Sequence, residues 1–159
     1  MKLIAAVSKE WGIGKDNDLL FSIPTDMKFF RETTKGHTVI MGRKTLESFP
    51  GGKPLKNRRN IVLSRTVTDI EGAETVSSVD EINVSPDEEV FVIGGESIYR
   101  LMLDMCDTAY ITKVDASREA DAFFPDLDSN ENWVLTESGD CIEENGVTFR
   151  FCTYKRVEA

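Results

Sequence analysis

The 159-residue chain contains one histidine, His37, and three cysteines, Cys106, Cys141 and Cys152, none in C-x-x-C spacing. A single histidine cannot furnish a two-histidine metal site, and any Ser-His-Asp triad would have to be built on it. His37 lies at Lys35-Gly36-His37-Thr38, between a helical and a strand pattern, where a solvated loop imidazole is the simpler reading. An odd, scattered set of thiols speaks against a disulfide framework or a thiolate zinc centre. No metal is therefore expected, and a reducing cytoplasm is the expected compartment. The longest apolar runs, such as Leu3–Val7, span about five residues, far short of the ~20 that a membrane helix needs. Met1-Lys2 followed by so short a stretch and then Ser8-Lys9-Glu10 does not read as a secretory signal. A basic excess is missing too: 19 Lys and Arg against 28 Asp and Glu leave a net charge of −9. That balance disfavours a general nucleic-acid binder. Neither nucleic acid nor membrane is expected as a partner, and with no feature demanding a dimer a monomer is expected.

What is present suits a packed protein. Apolar residues make up 40% and aromatics 9%, enough for a core and against intrinsic disorder. No repeat, low-complexity tract or linker divides the chain, so one domain over residues 1–159 is expected. Short β-rich runs alternate with helical patterns, as in an α/β sheet with helices on its faces. The strand candidates are Leu3–Val7, Thr38–Met41, Asn60–Leu63, Glu74–Val76, Val90–Ile93, Ala109–Val114, Trp133–Thr136 and Thr148–Lys155. Leu-Ile-Ala-Ala-Val and Val-Phe-Val-Ile are apolar on both faces, as buried parallel strands require. The last candidate alternates, which suits a more exposed antiparallel strand at an edge. Pro24 suits the first turn of a helix carrying Met27, Phe30 and Thr34. Ile98, Leu101, Met102 and Met105 form a helical stripe, and Arg43–Phe49 and Val79–Val84 read as shorter helices. The segment 9–23 is long for a connection and carries Leu19-Leu20-Phe21, which suits a lid. Trp11 within it reads as exposed.

Two strand-to-helix junctions have the makings of anion sites. Gly94-Gly95 follows a buried strand and precedes a helix, and Gly42 opens a turn followed by Arg43 and Lys44. Glycines let a ligand approach the backbone, and free N–H groups at a helix start attract phosphate. A tight turn that merely needs glycine explains each junction equally well. At one edge of a parallel sheet the pair would suit a dinucleotide. With Arg65 the two cations would make a patch favouring a 2′-phosphate, although solvated strand-end cations are the plain alternative. Asp26 stands in the first turn after Pro24, among Met27, Phe29 and Phe30. A carboxylate there complements the helix dipole; turned inward, it would be desolvated and its pKa raised.

Taken together, these segments resemble bacterial dihydrofolate reductase nearly end to end. The matching stretches are Leu3-Ile-Ala-Ala-Val, Gly12-Ile-Gly14, Ile23-Pro-Thr-Asp-Met27, Val39-Ile-Met-Gly-Arg-Lys-Thr45, Asn60-Ile-Val-Leu-Ser64, Val92-Ile-Gly-Gly95, Ile111-Thr112 and Phe124-Pro-Asp126. The resemblance implies a three-layer α/β fold: a central eight-stranded, mostly parallel sheet with an antiparallel C-terminal strand, flanked by four helices. It implies hydride transfer from C4 of NADPH to C6 of 7,8-dihydrofolate, giving tetrahydrofolate. By the same resemblance Asp26 is the acid of the pterin pocket, promoting N5 protonation, and Thr112 is its hydroxyl partner. Leu19 and Phe21 belong to the lid over the reacting rings. Ile4, Ala6, Met27, Phe30, Phe49, Leu55 and Ile93 line the folate pocket, and Arg58 meets the α-carboxylate of the glutamate tail. The NADPH track comprises Ala6, Ile13, Gly14, Gly42, Arg43, Lys44, Thr45, Leu63, Ser64, Arg65, Ile93, Gly94, Gly95, Glu96, Ser97, Ile98 and Tyr99. The resemblance also implies a cis bond at Gly94-Gly95.

The chain departs from that family at two places. Leu20-Phe21 stands where Pro-Trp is common, which removes an indole N–H and leaves the lid less stiff. Glu96-Ser97 stands where many relatives carry an arginine near the adenosine phosphate, leaving that task to Arg43 and Arg65. Two rival readings are a different NADPH-dependent reductase on the same fold, such as the pyrimidine reductase of riboflavin synthesis, and a non-catalytic nucleotide-binding module. Asp26 beside Phe30, with Arg58 for a carboxylate tail, favours folate over the former. The latter gives no reason for Asp26.

Overall fold

A computed structural model describes residues 1–157; residues 158 and 159 of the span expected as one domain lie outside the described residues. The strands are β1 (Lys2–Val7), β2 (Gly12–Lys15), β3 (Asp18–Leu19), β4 (Thr38–Gly42), β5 (Arg59–Leu63), β6 (Glu74–Val76), β7 (Val90–Gly94), β8 (Thr108–Val114), β9 (Ala122–Phe123), β10 (Trp133–Ser138), β11 (Ile142–Glu144) and β12 (Val147–Arg156). The helices are α1 (Pro24–Thr34), α2 (Arg43–Glu47) and α3 (Glu96–Met102). The main sheet runs β10-β12-β8-β1-β7-β4-β5-β6, with β11 paired to β12. Pairings from β8 through β6 are parallel, and β12 runs antiparallel to both β8 and β10.

Period-two alternation divides the core between the sheet's two faces. Leu3, Ile40, Ile61 and Val92 join Ile98, Tyr99 and Met102 of α3 in one cluster. Their neighbours Ile4, Val39, Val62 and Phe91 join a second, with Leu46 of α2 and Phe29 and Phe30 of α1. The result is three layers, with α3 on one face and α1 and α2 on the other. Each fully buried aliphatic side chain contributes about 1.5–3 kcal/mol. The two runs that are apolar on both faces, β1 and β7, are neighbours near the middle of the sheet.

All eight expected strands are present, but the helices differ from expectation. Three α-helices are found among the described residues, not four, because Val79–Val84 holds only a 3-10 turn at Val79–Glu81. Val79, Ile82 and Val84 all pack on the core, but Ile82 is already extended and Pro86 follows closely, which leaves too few residues for an α-helix. The expected stripe on α3 is also cut short. The α-helix stops at Met102, leaving Leu101 and Met105 exposed while Tyr99 turns inward. The alternating strand β12 is antiparallel as read, yet it lies second from the edge; β10 covers it. The short strands β2, β3, β9 and β11 have no pattern long enough to read from sequence.

Candidate active site

Asp26 lies in the first turn of α1, which Pro24 opens at N1. Ile23, at the N-cap, offers no side-chain acceptor. Glu144, on β11, supplies one from across the chain, accepting from Thr25 N–H at 2.9 Å and from Thr25 Oγ1–H at 2.6 Å. Behind the helix, Thr112 projects from β8, where it pairs with Ala6 of β1. Its Oγ1–H donates to Asp26 Oδ1 at 2.6 Å. Burial raises the Asp26 carboxyl above the ordinary aspartate value, and the Thr112 hydroxyl partly opposes that shift.

The apolar surroundings come from four places in the chain. Ile4 of β1, Phe30 of α1, Phe49 and Leu55 beyond α2, and Ile93 of β7 pack in the same cluster. Met27 is more open, 42% exposed, and its Sδ accepts from Ser22 Oγ–H at 3.6 Å. Asn60 pins the loop that carries Leu55 and Arg58. Its Oδ1 accepts from Leu55 N–H at 3.0 Å, and its Nδ2 donates to the carbonyls of Leu55 at 2.9 Å and Arg58 at 3.0 Å. Arg58 Nε is buried without a hydrogen-bond partner. Burial and the nearby charge of Arg31 hold the Arg58 guanidinium below its ordinary pKa. An orphaned guanidinium N–H beside a second cation calls for an anion.

The glycine junctions lie along one sheet edge, because β5, β4 and β7 are parallel neighbours. Leu63-Ser64, Gly42 and Gly94-Gly95 therefore end adjacent strands. The Gly94-Gly95 peptide is cis, and Gly94 has φ +128°, a conformation that side chains disfavour. A Cβ on Gly42 would come 3.0 Å from Ile98 Cγ1, so α3 packs directly on that turn. Thr45 Oγ1 is 3.4 Å from the Cβ position of Gly94. Arg43 meets Glu47 loosely at 3.5 Å, while Lys44 and Arg65 are exposed and make no ion pair among the described residues. Ser64 Oγ is engaged locally, accepting from Val67 N–H at 3.0 Å. These strand ends thus combine glycine backbone with cations. Ile93, which leads into Gly94, packs in the same apolar cluster as Phe30 of the helix that carries Asp26, an arrangement suited to a dinucleotide across strand ends.

Residues 1–156 match the family described as dihydrofolate reductase. The chain belongs to that family. It is 41% identical to the dihydrofolate reductase of Bacillus subtilis (strain 168) over 149 residues, which cover 91% of this chain and 87% of that protein. It is 37% identical to the dihydrofolate reductase of Staphylococcus haemolyticus over 163 residues, covering 99% and 96%. Against the bifunctional dihydrofolate reductase-thymidylate synthase 2 of Arabidopsis thaliana it is 38% identical, spanning 99% of this chain but 32% of that longer protein. As a member of the dihydrofolate reductase family the chain is an oxidoreductase using a nicotinamide cofactor and a small-molecule substrate.

In this dihydrofolate reductase-family chain the long segment 9–23 is built, not loose. β2 pairs with β3 and with β9, turning at Asp16 and Asn17, whose φ angles are 51° and 61°. Ile13 and Gly14 lie on β2, and Ile13 packs against the core. The apolar trio separates: Leu19 is 70% exposed, whereas Leu20 and Phe21 are buried with Ile23, Val114 and Phe149. Trp11, expected to be exposed, is buried. Its backbone takes φ 66°, which turns the indole under the sheet to stack on Phe124 at 6.1 Å, with the Lys113 ammonium 5.4 Å away.

At the start of α3, Glu96 accepts from Phe123 N–H at 2.7 Å and pairs with Arg100 at 3.3 Å, joining α3 to β9. Ser97 is exposed. Tyr99 is buried, and its hydroxyl donates to the Ile4 carbonyl at 2.7 Å, fastening α3 to β1. Sequence reasoning missed Arg31, Asn60 and Glu144. Arg31 and Glu144 resemble ordinary surface charges, and each gains meaning only from what packs beside it. Asn60 had a signal, since an asparagine that starts a buried strand needs amide partners.

Proposed function

We propose that the chain reduces 7,8-dihydrofolate to 5,6,7,8-tetrahydrofolate with NADPH as reductant, acting as a single-domain monomer in the cytoplasm. One observation carries the reading: a half-buried carboxyl, bonded to Thr112 and set among apolar walls beside the glycine junctions. The names of the Bacillus and Staphylococcus relatives support the same reaction. The strand ends fit a phosphate-bearing dinucleotide, with side-chain-free backbone at Gly42 and Gly94-Gly95 and with Arg43, Lys44 and Arg65 supplying charge. When bound, the reduced nicotinamide supplies a hydride from its C4 to C6 of the pterin.

The remaining tasks fall to the protein's own residues. Asp26 accepts hydrogen bonds from the 2-amino and N3 groups of the pterin, which fixes the ring's orientation. Raised toward the working pH by burial, the same carboxyl promotes protonation at N5 through a bridging water. Thr112 holds the carboxyl in place. Ile4, Ala6, Met27, Phe30, Phe49, Leu55 and Ile93 press on the flat ring and keep water from it. Arg58, with Arg31 beside it, takes the α-carboxylate of the tail. Leu19 and Phe21 border the reacting rings on the lid side, and Thr45, Ser64 and Ser97 offer hydroxyls along the cofactor's phosphates. Ile13, Gly14, Leu63, Glu96, Ile98 and Tyr99 shape the backbone track on which the cofactor lies.

Purified protein mixed with NADPH and dihydrofolate tests the proposal. Reduced-nicotinamide absorbance is expected to fall only when both are present. A trace that stays flat with folded protein overturns it.

A further inference from the structure

Arg118 lies in the connection between β8 and β9, and it stands outside every role assigned above. Its guanidinium carbon is 4.5 Å from the centroid of the Phe21 ring, and its Nη1 donates to the Leu20 carbonyl at 2.5 Å. It forms no ion pair among the described residues. The same connection holds the lid elsewhere. Lys9 N–H donates to the Ala116 carbonyl at 3.0 Å, Ser117 Oγ–H to Glu10 at 2.6 Å, and Asp16 N–H to Asp121 at 2.9 Å, while Lys15 pairs with Glu119 at 3.0 Å. All of those contacts grip the outgoing limb, residues 9–16. Arg118 alone of this polar set reaches the returning limb, Leu20-Phe21, which runs directly into α1 and Asp26.

We propose that Arg118 is a positioning residue: it clamps the returning limb of the lid, at one backbone carbonyl and one aromatic face, and so ties lid closure to the helix carrying Asp26. A planar guanidinium can stack on a ring and donate in its own plane at once, which a lysine ammonium cannot do. Leu20 and Phe21 are the two residues at which this chain departs from the Pro-Trp common in the family. Leucine leaves the backbone free where proline would fix φ. The clamp supplies from outside the stiffness that the local sequence lacks. The inference rests on the proposed reaction for its kinetic consequence, though not for its structural one.

Hydrogen exchange in the ligand-free protein tests the structural part. Replacement of Arg118 with Met keeps the aliphatic stem and removes both contacts. Amide exchange at Leu20 and Met27, whose N–H groups donate to the Ile13 carbonyl at 3.4 Å and the Ile23 carbonyl at 2.9 Å, is expected to accelerate about tenfold in Arg118→Met and severalfold in Arg118→Lys, with β4 and β7 unchanged. Lys15→Met, which releases only the outgoing limb, should leave those two amides at the wild-type rate. In steady-state kinetics the KM for dihydrofolate should rise in Arg118→Met by the same factor as the exchange, with lysine rescuing it incompletely. Exchange within twofold of wild type at Leu20 and Met27 would overturn the clamp. So would acceleration spread evenly through β4 and β7, which marks a general stability residue. If the wild-type protein reduces no dihydrofolate, the exchange experiment still decides the clamp, and only the proposed reaction fails.

Discussion

Asp26 costs the folded protein stability in order to be useful. Its raised pKa means that the native state binds the proton more tightly than the unfolded chain does. Between the unfolded and folded values, stability therefore falls as pH rises, and above both the penalty is complete. Asp26→Asn removes a charge that burial disfavours. The variant is expected to melt above wild type at pH 7, with the gap closing as the pH drops below the ordinary aspartate range near ~3.9. Its turnover at pH 7 should fall by about 10²–10⁴-fold, the usual contribution of a positioned acid, while NADPH affinity stays nearly intact. Unchanged turnover would remove Asp26 from the proton path. Arg43 poses a simpler question, because its partner Glu47 is exposed and 3.5 Å away. Surface pairs of this kind are worth about 0–1 kcal/mol, so the guanidinium is free to meet a phosphate. Arg43→Ala should weaken NADPH roughly tenfold or more and NADH little, by titration of each cofactor; equal losses would show that it does not read the 2′-phosphate.

At the level of elements, the lid depends on close backbone approach at Gly12. A Cβ there would lie 2.8 Å from Ala120 Cβ, 3.0 Å from Leu20 Cδ1 and 3.0 Å from Ser8 Oγ. Ala120 has no flexible end to swing aside, so β2 and the β8–β9 connection would have to part. Gly12→Ala is expected to cost about 1–3 kcal/mol in denaturant unfolding, as overpacking usually does. The long strands and α1 announced themselves by period, whereas β2 and β9 did not. Two to four residues carry no period, and these strands exist because the lid and the β8–β9 connection pair with each other. Trp11 departs from its expected exposure for a related reason. Its burial follows from a positive φ and from the neighbours Phe124 and Tyr154, far along the chain.

At the level of the whole molecule, the sheet order gathers distant charges. Arg31 stands in the last turn of α1 and Arg58 precedes β5; Gly36 N–H, just after α1, donates to the Asn57 carbonyl at 2.8 Å, which brings the two charges near each other. Arg31→Met should raise the KM for dihydrofolate several-fold while sparing a reduced pterin substrate that lacks the glutamate tail. Equal effects on both substrates would place Arg31 outside tail recognition. Glu144 acts over a similar span, capping α1 from a hairpin near the opposite end of the sequence.

The eight strands of the main sheet path, the helices α1, α2 and α3, the buried centre at β1 and β7, the glycine junctions and the candidacy of Asp26 were legible in the sequence. Each depends on local period, on backbone freedom, or on a residue type out of place among apolar neighbours. The nearness of Arg31 to Arg58, the cap from Glu144 and the grip of Arg118 on Phe21 were decided only by tertiary structure. These contacts join residues with no shared local pattern, and packing the helices on the sheet is what fixes which surface charge faces which.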